Sequence, residues 1–391
     1  MAVVFWAVVA TVVYAYVGYP VLTAVTGALL RRDVRRKPTF PTMTVVIAAY
    51  DEAEGIEAKI RNVLASTDPP SRLDIVIASD GSTDDTVERA RAVGSPRVKV
   101  LELPRRGKAS ALAEAVRHAR GDLLTFTDAN TELQRGALAM LAFNFADRDV
   151  GGVAGNSTYR VGDDAESTDR GEDLYWRYDS WLKAMETRTG STVSAHGGLY
   201  TVRRELFRPV EDAAVTDDYA ISTAVVEQGK RLVFEERALA YEKPMGDGGA
   251  EFRRRVRLMT RGVRSVLLRR ALLDPFRYGY YSVAFASRKL LRRLLPLSFP
   301  LLLVSSLALA DQGLVYAGAA AAQLVLLALA GIGWSLRCTP AGCSPALYVP
   351  LYFCMANLAS LVSLWNVARG SRIERWTPQR HATATSDAQA S

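Results

Sequence analysis

The 391-residue chain divides into two regimes of hydrophobic patterning. At its ends lie long uncharged runs, residues 1–30, 294–310, 312–336 and 338–368, the last three separated only by Asp311 and Arg337. A helix needs about 20 apolar residues to cross the hydrocarbon core of a bilayer. The first run is long enough for one span. With Thr339-Pro340-Ala341-Gly342 and Ser344-Pro345 read as turns, the others predict helices over 290–310, 313–336 and 346–367. A cleaved signal peptide fits the first run poorly, because Arg31, Arg32, Arg35, Arg36 and Lys37 follow it instead of preceding it.

Between these runs the pattern alternates. Residues 44–49 (TVVIAA) form an unbroken β-branched run, as a strand covered on both faces should. Residues 56–65 have helical spacing, and 73–79 (LDIVIAS) read as a second strand. A helix over 84–93 follows the turn Asp80-Gly81-Ser82-Thr83; then come a strand at 98–101, a helix at 108–119 and a strand at 122–127. Strands alternating with helices predict an α/β fold, a doubly wound and mostly parallel sheet flanked by transmembrane helices. The implied organisation is an N-terminal membrane helix (1–30), a basic linker (31–43), a folded domain (44–262), a basic amphipathic interfacial segment (263–289), three membrane helices (290–367) and a polar tail (368–391).

Composition sharpens this. A 49% hydrophobic content and a mean hydropathy of +0.04 look like an ordinary soluble protein. Yet outside 31–293 the charged residues are only Asp311, Arg337, Arg369, Arg372, Glu374, Arg375, Arg380 and Asp387. That segregation excludes a simple soluble enzyme, a disordered chain and a disulfide-rich secreted domain. The net charge of +8 comes largely from arginines beside the apolar runs, so nucleic acid is not the expected partner; membrane lipid is. Basic flanks at 31–37 and at Arg288, Lys289, Arg292 and Arg293 place the folded domain on the cytoplasmic side of the cell membrane. Three downstream spans then put the tail outside, against the preference of Arg369, Arg372, Arg375 and Arg380. Cys338, Cys343 and Cys354 lie in or beside the apolar runs and offer neither a disulfide framework nor a zinc site.

In a doubly wound sheet, ligands bind beyond the carboxyl ends of the strands. Acidic residues follow three successive strands there, at 50–52, 80–85 and 128–130. Singly, Asp80 is a turn former and Asp84 a helix cap; together they form a constellation. Carboxylates without nearby Cys or His suit Mg2+ or Mn2+, ions commonly held by one or two carboxylates and substrate phosphates. Lys108, after Arg105-Arg106-Gly107 at a helix start, adds charge where an anion can lie. The first glycine of an ATPase phosphate loop is missing before it.

AAYDE (48–52), DGSTDDT (80–86), GKASAL (107–112), TDANT (127–131), the Gly-Gly-x-x-x-x-Arg-Arg segment (197–204) and TDDYAIS (216–222) occur in order. This set resembles inverting, membrane-embedded family 2 glycosyltransferases of the cellulose-synthase and hyaluronan-synthase type over about residues 40–270. The resemblance implies a GT-A fold and a nucleotide-sugar donor, usually a UDP-sugar. Ala48, Tyr50 and Glu52 would line the base and ribose pocket, and Asp80 would accept from uracil. Asp128 opens the DxD-like motif, with Asn130 where many members have Asp; the pair would hold the metal. Asp217-Asp218 matches the family's Thr-Glu-Asp motif, which makes Asp218 the general base and Asp217 the runner-up. Residues 254–258 align with Gln-x-x-Arg-Trp, retaining Arg257 for the diphosphate but carrying Arg254 for Gln and Leu258 for Trp. His196 and Gly197 fall in a segment that the family uses near the acceptor.

The remaining arginines of this stretch, Arg253, Arg261, Arg264, Arg269 and Arg270, read as a basic face on anionic lipid. Trp176, Trp181, Tyr175 and Tyr178 could stack on sugar, but their spacing also fits core or interfacial residues; Trp376 reads as interfacial. The expected activity is inverting sugar transfer to a lipid-linked or polysaccharide acceptor. The rivals are a processive synthase that exports its product, a membrane protein that binds nucleotide sugar without turnover, and a soluble nucleotidyltransferase or phosphatase, which leaves the apolar runs unexplained.

Overall fold

The computed structural model describes residues 1–66, 72–159, 167–210, 215–242, 248–337, 339 and 344–370; of 159, 167–175, 248–255 and 258 the backbone alone is described. The first apolar run is a helix, α1 (Ala2–Leu30), interrupted by a π-helical stretch at Tyr14–Gly18. Then follow β1 (Met43–Ala49), α2 (Ile56–Ala65), β2 (Leu73–Asp80), α3 (Thr86–Ala92), β3 (Val98–Leu103), α4 (Lys108–Arg117) and β4 (Leu123–Phe126). Each of the seven elements expected for this stretch is present, and α2 has the bounds read from sequence. β5 (Glu132–Leu133), α5 (Ala137–Phe143), β6 (Val150–Tyr159), α6 (Ser167–Thr189), β7 (Tyr200–Arg203), α7 (Asp217–Glu227) and β8 (Arg231–Glu242) complete the domain.

The eight strands make one sheet in the order β3-β2-β1-β4-β7-β6-β8-β5. Strands β3, β2, β1 and β4 are parallel, as are β6 and β8. β7 runs antiparallel between β4 and β6, and β5 lies antiparallel on β8. Every residue of β1 is buried because helices cover both faces. Val45 and Ile47 pack with Ile60, Val63 and Leu141 on one side. Val46 and Ala48 face Leu112, Ala115 and Tyr200 on the other. Because the chain passes from β1 through β2 to β3 and then returns to pair β4 with β1, strand order reverses between β1 and β4. A crevice for ligand is expected at that switch point.

Beyond the sheet, α8 (Gly248–Leu268) leads through a 3-10 turn and a single helical turn at Pro275–Tyr278 to three apolar helices, α9 (Tyr280–Leu307), α10 (Leu314–Ser335) and α11 (Pro345–Ala368). Together with α1 they are the four helices among the described residues that are long and apolar enough to cross a membrane. α9 starts about ten residues before the expected 290, because 280–291 continues the helix through a π-helical stretch at Ala286–Leu291. Large side chains such as Leu29 (80% exposed) and Leu314 (91% exposed) face outward. Cys354 is half-buried and unbridged on α11; Cys338, Cys343, Trp376 and the tail arginines 372, 375 and 380 lie outside the described residues.

The basic segment after β8 makes internal contacts. Arg261 donates to the Val215 carbonyl at 2.8 Å and Arg264 to the Gly370 carbonyl at 3.0 Å. Arg269 pairs with Glu227 at 2.5 Å and donates to the Ala220 carbonyl at 3.0 Å. These three arginines tie the segment to α7, to Val215 just before it and to the end of α11; Arg270 is exposed, and the side chain of Arg253 is not described. Periodicity could not separate the two outcomes, since a basic stripe serves a carbonyl as well as a phosphate.

A buried ion cluster joins α1, α6 and α9. Glu186 is fully buried and accepts from Tyr19 Oη (2.6 Å), Thr192 Oγ1 (2.8 Å), the Val193 N–H (3.2 Å) and Arg288 Nη1 (2.8 Å). Arg288 also pairs with Asp179, which accepts from Lys183 at 2.8 Å. Burial alone would raise the Asp179 pKa; the charges of Arg288 and Lys183 outweigh it and hold the carboxyl well below its ordinary value. Removing one member strands the others without solvent, which typically costs about 3–5 kcal/mol. Glu186→Ala is therefore expected to lower the unfolding temperature of the detergent-purified protein sharply, and Glu186→Leu with Arg288→Met to recover much of the loss. Equal melting of Glu186→Ala and wild type would refute the clamp.

Candidate active site

The β1 end is tied to the turn after β2. Asp51 has a left-handed backbone (φ 52°). Its N–H donates to Ser82 Oγ (3.1 Å), and its Oδ1 accepts from the Thr83 N–H (2.7 Å). The Glu52 N–H donates to Thr86 Oγ1 (2.8 Å), and the Ala53 N–H to Asp84 Oδ2 (3.2 Å). Much of the acidic DGSTDDT segment is thus spent on stitching two loops together. Asp80, 1% exposed, accepts from the Arg105 guanidinium and from the N–H groups of Arg106 (2.8 Å) and Gly107 (2.9 Å). The same guanidinium lies over the Tyr50 ring at 3.6 Å. In this conformation Asp80 organises the 105–107 loop, and Arg105 occupies the face of Tyr50 expected to meet the base. Ala48 is 4% exposed and packs in the apolar layer against α4.

The candidate centre is assembled around Lys108, the first residue of α4. Its Nζ bridges Asp128 Oδ1 at 2.7 Å and Asp217 Oδ2 at 3.1 Å. Burial works against its charge, but Asp128, Asp217 and Asp218 keep it protonated far above neutrality. Gly197 fills the gap between two carboxylates. A Cβ there would stand 3.3 Å from Asp128 Oδ2 and 3.8 Å from Asp218 Oδ2, and one on Gly198 would fall 2.5 Å from Ser157 Oγ. Asp218 Oδ1 accepts from the Tyr219 N–H at 2.8 Å at the start of α7. Five expected site residues from four separate stretches, Lys108, Asp128, Gly197, Asp217 and Asp218, converge at the end of β4.

The other predicted residues are placed around this centre. His196, half-exposed, pairs through Nδ1 with Glu242 at 3.3 Å and meets Trp176 edge-on at 5.5 Å. Burial would lower its pKa, but the hydrogen bond and charge of Glu242, aided by Asp218, raise it above the ordinary value. Asn130 is exposed on the turn after Asp128. Arg257 is half-buried on α8, a helix whose Val256 carbonyl accepts from Ser363 of α11 at 3.1 Å. The side chains of Arg254, Leu258 and Tyr175 lie outside the described residues.

Sequence reading missed two groups. Lys59, 4% exposed, donates to Thr127 Oγ1 at 2.8 Å and to the Thr131 carbonyl, bracketing the Asp128 turn from below. Burial brings its pKa down to about 7. Its signal was a lysine on the apolar face marked by Ile56, Ile60 and Val63. Tyr200, fully buried on β7, has no hydrogen-bond partner for its hydroxyl among the described residues, and the charges of Asp217, Asp218 and Asp128 bear on it. No sequence pattern marked it.

Glu52 generates a pH prediction. Burial, then the charges of Asp128, Asp84 and Asp51, push its pKa up to about 7 from an ordinary value of 4.5. The folded state penalises the charged form, so the penalty is absent below about pH 4.5 and fully present above about pH 7. Because the group is partly open to solvent, its size is on the order of 1 kcal/mol. Glu52→Gln should therefore gain stability over wild type as pH rises from 5 to 8. Denaturant melts at both ends that show a constant difference would contradict this.

Residues 44–210 match the model of Glycosyl transferase family 2. The chain is 28% identical over 257 residues to the poly-beta-1,6-N-acetyl-D-glucosamine synthase of Staphylococcus aureus (strain COL), covering 61% of this chain and 60% of that protein. It is 27% identical over 189 residues to an N-acetylglucosaminyltransferase of Rhizobium meliloti (strain 1021), covering 47% and 44%. The chain thus spans about 60% of the length of the first of these relatives. Among solved structures it resembles a mannosyltransferase from Pyrobaculum calidifontis, in complex with GDP-Man and Mn2+, with a TM-score of 0.68 and 22% identity over 94% of this chain and all of that one. That likeness extends over the helices as well as the sheet and establishes the fold. Residues 44–210 thus form a glycosyl transferase family 2 domain of the GT-A type, similar to a poly-beta-1,6-N-acetyl-D-glucosamine synthase and joined to four helices of membrane-crossing length and composition.

Proposed function

We propose that the protein is an inverting glycosyltransferase that moves a sugar from a nucleotide donor, a UDP-sugar, to a lipid-linked or polysaccharide acceptor at the cytoplasmic face of the membrane. The observation that carries this reading is the meeting of Lys108, Asp128, Asp217 and Asp218 around Gly197. An anionic diphosphate finds a cation there, and a hydroxyl finds a base. Asp217 is already engaged in an ion pair with Lys108. Asp218 faces the Gly197 gap, and this arrangement favours it as base.

In the proposed reaction the acceptor oxygen attacks C1 of the donor sugar while Asp218 takes the hydroxyl proton. The bond from C1 to the diphosphate breaks on the opposite face, which inverts the anomeric centre. The electron pair leaves with the diphosphate, whose growing charge Lys108 and, from α8, Arg257 and Arg254 would stabilise. Tyr50, Glu52 and Asp80 would surround the nucleoside once Arg105 has moved off the Tyr50 ring.

A divalent cation, Mg2+ or Mn2+, fits the residues present in part. Asp128 keeps Oδ2 toward the gap while Oδ1 serves Lys108, and Asn130 adds an amide oxygen nearby in the chain. Among the described residues no group of three His, Cys, Asp or Glu side chains is arranged to hold a metal ion by itself, so donor phosphates would complete the shell, as is common for these ions. When bound, the ion would neutralise diphosphate charge. The Mn2+ of the Pyrobaculum calidifontis enzyme supports such a role.

A processive, product-exporting synthase is the second reading, favoured by the name of the Staphylococcus aureus relative. In either case the basic residues 31–37 and 288–293 favour the cytoplasmic side for the domain spanning 44–262. Asp218→Asn should reduce transfer of radiolabelled sugar by at least about 100-fold while nucleotide-sugar affinity stays within about twofold. Unchanged turnover in this variant would remove Asp218 as base, and absence of turnover with any nucleotide sugar in wild type would remove the enzyme reading.

A further inference from the structure

A cavity of about 890 Å3 lies outside the reaction centre, between α6, the β6 and β8 strands and the linker after α1. Its volume falls within the range usual for ligand sites, about 300–1,000 Å3. One end is at Trp176, whose ring stands edge-on to His196, next to Gly197 and the Asp128–Asp218 gap. The other end is at Arg32, two residues past the end of α1, whose N–H donates to the Arg188 carbonyl at 2.9 Å. The cavity therefore runs from the chemistry toward the first apolar helix.

Its lining is mixed in a particular way. Trp176 and Trp181 present indole surface, and Trp181 is 43% exposed. Asn156, also in the lining, is fixed by donating to the Glu236 carbonyl (3.1 Å) and accepting from Ser180 Oγ (3.0 Å). The arginines do not add up to a phosphate trap. Buried Glu235 accepts from both Arg36 and Arg237, while Asp33 and Glu236 offset much of the rest. Flat apolar faces beside planar donors and acceptors are what a sugar ring requires, because it offers C–H faces and equatorial hydroxyls together.

We propose that this cavity is an extended acceptor subsite holding several uncharged sugar units of a growing or lipid-borne saccharide, with the terminal unit delivered past Trp176 and His196 to Asp218. The proposal rests on the transferase reading above and specifies its acceptor as an oligosaccharide gripped over more than one ring. It makes Trp181 and Asn156 determinants of acceptor length preference.

The test uses the full chain in detergent and a panel of glucose, mannose and N-acetylglucosamine oligomers from mono- to hexasaccharide, with binding followed by calorimetry and transfer by radiolabel. Affinity for at least one series should rise over several units. That gain should fall by about tenfold in Trp181→Ala, while Trp365→Ala, on a distant apolar helix, keeps it. Affinity independent of length, an unaltered profile in Trp181→Ala, or displacement of the oligomer by inorganic pyrophosphate in place of unlabelled sugar would overturn the subsite. Length-dependent binding lost in Trp181→Ala, in a protein that turns over no nucleotide sugar, would leave the subsite standing and remove the transferase reading. Transfer to acceptors without length dependence would do the reverse.

Discussion

Placing Asp128, Asp217 and Asp218 at one end of a sheet is electrostatically costly, since two carboxylates about 4 Å apart in a partly buried site repel by roughly 4 kcal/mol. The single ammonium of Lys108 offsets this by touching two of them and standing in the field of the third. Its position is in turn set by the 105–107 loop, which Asp80 secures through one guanidinium and two N–H groups. A chain of charges therefore runs from the end of β2 to the start of α7. It holds the carboxylates together and still leaves Asp218 facing the gap at Gly197.

The apolar helices take part in that arrangement. Arg261 and Arg269 of α8 and its C-terminal turn hold the loop before α7 and α7 itself, and α8 packs along α11. On the other side, Glu186 gathers Tyr19 from α1 and Arg288 from α9. The helix that carries Asp217 and Asp218 and the helix that walls the Trp176–Trp181 cavity are thus both braced by the apolar helices and the segment leading to them. Buried charge is an expensive way to join parts. It is specific, however, because an ion pair that slips out of register leaves an uncompensated charge behind.

Much of this could be read in the linear chain. β1, β2 and β4 are runs of β-branched and apolar residues because both faces of a parallel sheet are covered, and α2 and α4 carry helical periodicity against them. Carboxylates after successive strands had to gather at one edge. What local pattern left undecided were the partners of particular side chains. Ala48 became core. Arg261, Arg264 and Arg269 turned toward carbonyls, and Lys59 stood unnoticed beneath the Asp128 turn.

The sequence by itself determined the apolar helices, the alternating sheet and the order in which its acidic loops appear, because hydrophobic periodicity and strand length are local properties of the chain. Only the tertiary structure decided which acid is engaged and which is open. Lys108 claims Asp217 and half of Asp128 because α4 and α7 approach the same end of β4, more than 100 residues apart in sequence. The cavity beside Trp176 has the same origin. Its walls come from the linker after α1, from α6 and from two strands, and no pattern within any one of them records that they meet.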